Sequence, residues 1–132
     1  FMDVIGYLLT LLGEWDLGER LARTAIRRNP HHRQYVRYAT WLNHFRQGEY
    51  KAALNETGWL KGFGFFWDPL SRAATLGQLD RAAQSKKAVA EILALKPDFP
   101  ERGRTLIHHY VKDPDIQDRL VEGLAAGGLV LK

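Results

Sequence analysis

The sequence predicts an all-α fold: antiparallel helical hairpins stacked side by side, with two further helices covering the last one. Three observations carry this. Apolar residues recur at spacings of three and four through most of the chain. Glycines and prolines punctuate them where helices should stop and start. One pattern, best seen from Gly13 to Pro30, returns in degenerate form from Gly48 and again from Asp80 to Pro97.

The elements follow in order. Val4, Ile5, Leu8, Leu9, Leu11 and Leu12 give a first helix with little polar face, which must be covered on more than one side. Gly13 stops it. From Trp15 to Arg28, Leu17, Leu21, Ala22, Ala25 and Ile26 form an apolar stripe, with Arg20, Arg23 and Arg27 opposite and Pro30 barring continuation. After the connector His31-His32-Arg33-Gln34, a helix over Tyr35–Arg46 carries Tyr38, Trp41, Leu42 and Phe45 on its apolar side. Gln47-Gly48 breaks it and Tyr50–Leu60 resumes. Gly58, Gly62 and Gly64, interleaved with Phe63, Phe65, Phe66 and Trp67, read as a glycine-aromatic loop. Asp68-Pro69 predicts an N-cap followed by a first-turn proline, opening a helix to Leu79. The next helix runs from Arg81 to Leu95 and is closed by Lys96-Pro97. Pro100 opens a helix to about Tyr110, and Asp113-Pro114-Asp115 caps the last one, whose core face is Ile116, Leu120 and Leu124 and which ends at Gly127-Gly128. About eight helices and no strand result, with residues 1–97 as three hairpins and 98–132 as covering helices of the same domain.

Composition narrows the class. With 45% hydrophobic and 26% charged residues, the chain has the makings of a core and is neither disordered nor membrane-spanning by composition. The apolar run of residues 4–12 is too short to cross a bilayer and lacks the flanks of a signal peptide. The absence of cysteine excludes disulfides and thiolate metal sites and fits a reducing, cytoplasmic setting. Phe1-Met2-Asp3-Val4-Ile5 opens straight into a helical pattern, as expected of a domain cut from a longer chain. The bare first helix also points to self-association through residues 1–12.

The repeat bears arithmetic. Gly13 to Gly48 is 35 residues and Gly48 to Asp80 is 32. Seven residues before each turn stand Gly6, Trp41 and Ala73; five after it stand Gly18, Ala53 and Ser85. Helices crossing closely within a hairpin need small side chains where their axes approach, so these positions mark the crossing. Twelve after each turn come Ala25, Leu60 and Ile92. This resembles the tetratricopeptide repeat, a helix–turn–helix unit of 34 residues, over roughly residues 1–97. The first repeat fits best, with Gly6, Gly13, Trp15, Gly18, Ala25 and Pro30. The second departs at Trp41 and Phe65; the third has Asp80 for the turn glycine, a residue that tolerates left-handed backbone better than most. The resemblance implies a right-handed superhelix. Asn29-Pro30-His31-His32, Lys96-Pro97-Asp98-Phe99 and Tyr110–Leu129 are further similar to the C-terminal repeat region of bacterial multidomain regulators, which implies the regulatory tail of an adenylate or guanylate cyclase or of a transcriptional regulator.

No residue announces a reaction. His31-His32 and His108-His109 are adjacent pairs, and helix neighbours point about 100° apart, so neither pair chelates one ion readily. Ser71 and Ser85 are the only serines, and neither lies in a nucleophile elbow; Gly62-Phe-Gly64 lacks the third glycine of a dinucleotide loop. The expectation is therefore a non-enzyme with no cofactor and no metal. Arg20, Arg23, Arg27, Arg28, Arg33 and Arg37 form the densest basic region, and helical repeats can hold RNA, but solvated charge on an outer face explains them better. A protein or peptide partner leads and nucleic acid trails.

First helices of such hairpins line a concave groove. Some tetratricopeptide proteins grip a terminal carboxylate there with Lys and Asn; the matching positions here are Asp3, Val4, Tyr7, Tyr38, Ala39, Leu42, Leu70, Ser71 and Ala74, none of them able to do so. The expected floor is aromatic and apolar instead: Tyr7, Tyr35, Tyr38, Leu42, Phe45 and Trp67, with Arg37 and Arg46 as flanking charges. Such a groove would take a hydrophobic helix or extended segment.

Overall fold

The computed structural model describes residues 14–28, 36–60 and 65–132. Over them the protein is all-helical, with seven α-helices and no strand among the described residues. These are α1 (Trp15–Arg28), α2 (Val36–Arg46), α3 (Tyr50–Thr57), α4 (Trp67–Gln78), α5 (Ala82–Leu95), α6 (Phe99–Tyr110) and α7 (Pro114–Ala126). The first helix expected from the sequence lies outside the described residues, as do Pro30, the connector at 31–34, Tyr35, and Gly62 and Gly64 of the glycine-aromatic loop. The chain divides into two compact units, Phe1–Leu60 and Lys61–Lys132. α6 and α7 thus share a unit with α4 and α5.

In the first unit α1 packs on α2 and α2 on α3. Direction is fixed by side chains at the helix ends. The Arg46 guanidinium, at the end of α2, lies 4.7 Å from the ring centre of Trp15, at the start of α1. Arg37, at the start of α2, pairs with Glu56 near the end of α3 at 3.0 Å. Each helix is therefore antiparallel to the one it follows. Trp41, Leu42 and Phe45 with Ala22, Ala53 and Leu60 supply the buried apolar residues.

The second unit is built around α4, ten of whose twelve residues are buried. Its small residues explain how it takes neighbours so closely. Against α5, the Ser85 hydroxyl donates to the Ala73 carbonyl at 2.8 Å, with Ala88, Val89 and Ile92 buried further along α5. Against α7 the approach is closer still. A Cβ on Gly77 would stand 1.9 Å from the Gly123 carbonyl oxygen, and one on Gly123 would stand 2.2 Å from that of Ala74. Ile116, Leu120 and Leu124 are fully buried, as the sequence predicts. α7 lays them mainly on α4, the first helix of the pair, with only a minor contact to α5.

α6 packs differently. Phe99 at its start stacks on Phe66 with ring centres 5.6 Å apart, and Tyr110 at its end meets Phe65, Phe66 and Trp67 at 6.4, 6.3 and 5.7 Å. These aromatics close the region where α4 begins. The final residues run back along α6: Leu129 and Leu131 are buried, and the Lys132 amide donates to the Pro100 carbonyl at 2.9 Å.

Three helix ends share one hydrogen-bond pattern. After α2, the Glu49 amide donates to the His44 carbonyl and the Gly48 amide to that of Phe45, with Gly48 at φ +75°. After α4, the Arg81 and Asp80 amides reach Leu76 and Gly77, with Asp80 at φ +58°. After α7, Leu129 and Gly128 reach Leu124 and Ala125, with Gly128 at φ +92°. Each is a Schellman closure around one left-handed residue. Asp80 is the one non-glycine residue at positive φ among the described residues, filling the position expected of the turn glycine.

One start differs from expectation. α4 begins at Trp67, with Phe66 at its cap position, so Asp68 and Pro69 lie inside the first turn, both buried. Packing of Phe66 and Trp67 against Phe99 and Tyr110 extends the helix N-terminally past the proline. Pro69 tolerates this because a first-turn amide has no intrahelical carbonyl to meet. At α7 the cap is as expected: an Asp113 carboxylate oxygen accepts from the Asp115 and Ile116 amides at 2.9 and 3.3 Å.

Candidate interaction surface

The structure redraws the expected groove floor. Tyr38 is only 8% exposed, Leu42 2% and Phe45 not at all, while Trp67 is buried in the second unit's aromatic cluster. Four of the proposed contact residues are thus core. The physical reason is the size of the side chains between α2 and α3: Trp41 stands where a small residue would be expected, Phe45 packs on it one turn along α2 at 5.5 Å, and Phe45 also meets Tyr50 of α3 at 5.1 Å. Tyr7 and Tyr35 lie outside the described residues. Ala39, Leu70, Ser71 and Ala74, at positions where a carboxylate-gripping repeat would carry its polar groups, are also buried.

The two flanking arginines are part of the packing. Arg37 is largely buried: its guanidinium binds the Glu56 carboxylate, whose same oxygen accepts from the Thr40 hydroxyl at 3.0 Å, and it stands 4.3 Å over the Trp59 ring. Arg46 donates to the Asn43 side-chain oxygen at 2.8 Å and covers Trp15. Both are held in place by aromatic rings and polar partners.

What the surface does offer is Trp59, 53% exposed, together with Leu17, Phe65, Leu95 and Val130. Trp59 is not among the residues expected at a contact surface. A signal for it exists: Ala53, Thr57 and Leu60 keep the core spacing of four and three, which leaves position 59 off the buried face.

The basic residues of α1 are solvent-exposed. Arg20, Arg23, Arg27 and Arg28 are exposed; Arg23 pairs with Glu19 at 2.8 Å, and Arg27 donates to the Thr24 hydroxyl at 3.2 Å. The antiparallel packing puts the last turn of α1, with Arg27 and Arg28, at the same end of the first unit as Arg37 and Trp59. Glu14, Asp16 and Glu49 lie toward the opposite end, as do Arg46 and Lys51.

Among the described residues no group of three His, Asp or Glu side chains is placed to hold a metal ion. His44 contacts the Glu49 carboxylate at 3.0 Å and His108 the Gln117 amide at 2.9 Å, each a pair and not a cluster. Nor is any described helix long and apolar enough to cross a membrane. Comparison with family models, with curated proteins and with solved structures finds no match. The functional reading therefore stands on this chain's own residues.

Proposed function

We propose that the chain is a tetratricopeptide-type helical-repeat module that binds other proteins, in a right-handed superhelix extended by the helices of residues 98–132. The observation that carries this reading is the recurrence of one hairpin design in the two pairs whose turns are described. Gly48 and Asp80, 32 residues apart, close their helices with the same two hydrogen bonds and the same left-handed residue. The positions seven before and five after each turn, Trp41 and Ala53 in one pair and Ala73 and Ser85 in the other, are all buried. Gly18, at the equivalent place in the first repeat, is buried too. A chain built by repeating one supersecondary unit gains extended surface, which such repeats use for binding.

A regulatory tail in a larger bacterial protein, working in the cytoplasm, fits the same reading. The contact surface belongs to exposed side chains; the aromatic interior holds the hairpins together. The test is affinity capture from source cells with nuclease present, followed by reconstitution with the purified partner. A stoichiometric complex with a protein supports the proposal. Recovery of nucleic acid alone, lost on nuclease treatment, would overturn it.

A further inference from the structure

The end of the first unit where α1 finishes carries two exposed arginines and the exposed tryptophan. From Arg20 to Arg46 the sequence holds seven arginines and no acidic residue. Of these, Arg27 and Arg28 are exposed in the last turn of α1. At the same end, Arg37 stacks on one side of Trp59 and is itself neutralised by Glu56. At this end of the unit, a half-exposed indole backed by a guanidinium follows α3, and two exposed arginines stand on the last turn of α1, both helices packing on α2.

We propose that this end of the first unit is a docking surface for an acidic protein segment carrying an apolar anchor residue. This rests on the protein-binding reading above and names its partner chemistry. Trp59 offers apolar contact area on a ring already positioned by Arg37, so little side-chain entropy is lost on binding; Trp and Arg are the residue types that dominate interface energetics. Arg27 and Arg28 supply charge complementarity to carboxylates, which steers encounter and sets orientation. A single-stranded nucleic acid suits the site less well. Such ligands track a continuous basic groove over several phosphates, whereas of the four exposed arginines of α1 Arg23 is paired with Glu19, and Arg37 is held by Glu56.

The test uses the full chain, with fluorescence anisotropy of a labelled amphipathic peptide of Glu, Ala and Leu. Its counterpart with Lys for Glu, an uncharged Gln counterpart and a thymidine oligonucleotide run in parallel. The acidic peptide should bind and the Lys peptide should not, with affinity falling as salt rises. Trp59→Ala should weaken binding about tenfold or more, and the Arg27→Glu/Arg28→Glu double variant should abolish it. Because glutamate near a helix C-terminus opposes the helix dipole, the Arg27→Gln/Arg28→Gln variant is measured as well and should weaken binding in the same direction. Failure of the acidic peptide to bind, binding indifferent to these substitutions, or binding of the oligonucleotide alone would overturn the assignment. If the Gln peptide binds equally well to all variants, this surface is refuted while the protein-binding reading stands.

Discussion

Replacing Gly123 by alanine sets two physical effects against each other. Gly123 lies in the interior of α7, where intrinsic helix propensity favours alanine by about 1 kcal/mol. On propensity alone the variant should be more stable. The tertiary structure reverses the sign. The added Cβ would stand 2.2 Å from the Ala74 carbonyl oxygen and 2.9 Å from its carbonyl carbon and Cα. All three are backbone atoms of α4, so no side chain can swing aside. Reaching ordinary contact means parting α4 and α7 by about 1 Å, which loosens Ile116, Leu120 and Leu124, all fully buried. Overpacking of this kind costs typically 1–3 kcal/mol and occasionally more. A 2.2 Å clash with backbone belongs in the upper part of that range, so after the propensity gain we expect a net loss of about 1–2 kcal/mol, or a fall in Tm of roughly 5–15 °C for a unit of this size. Urea and thermal unfolding followed by far-ultraviolet circular dichroism would measure it. Gly77→Ala should behave alike, and the double variant should cost less than the sum, because once the helices have separated the second methyl group finds room. A Gly123→Ala protein as stable as the parent, or more so, would refute the close crossing of α4 and α7.

Other substitutions probe separate parts of the fold. Asp80→Gly should be neutral or stabilising and Asp80→Ala should cost about 1 kcal/mol, since position 80 holds a left-handed backbone; equal stabilities in urea would dismiss the turn assignment. Asp113→Ala removes the acceptor of two amides at the start of α7 and should cost about 1 kcal/mol, read as a lowered denaturation midpoint at unchanged m-value. Tyr38→Ala should destabilise the first unit by roughly 2–4 kcal/mol, because the ring is core; an unchanged melt would restore it to a binding surface. Ser85→Ala leaves the Ala73 carbonyl without its hydroxyl donor and should cost about 1 kcal/mol, a result a double-mutant cycle with Gly127→Ala would refine, since a Cβ at 127 would fall 2.3 Å from that hydroxyl.

The sequence by itself determined the elements and their punctuation. Period-3.6 apolar spacing, Asp113-Pro114 and Gly127-Gly128 mark α7 almost to the residue, because caps and stops are local events between neighbouring backbone groups. The same locality made Asp80 legible as a turn residue, and Ala53, Ala73 and Ser85 as buried crossing positions. Which face of each helix meets which neighbour was not written locally. Tyr38, Leu42 and Phe45 have the spacing of a groove floor and of a core alike, and only the packing of α2 against α1 and α3 decides that they are core. The crossing of Gly77 with Gly123 joins residues 46 positions apart, so no local periodicity could pair them. Trp59 shows the converse: the spacing of Ala53, Thr57 and Leu60 leaves it off the buried face, while its pairing with Arg37, 22 positions earlier, was decided only by the packing of α2 on α3.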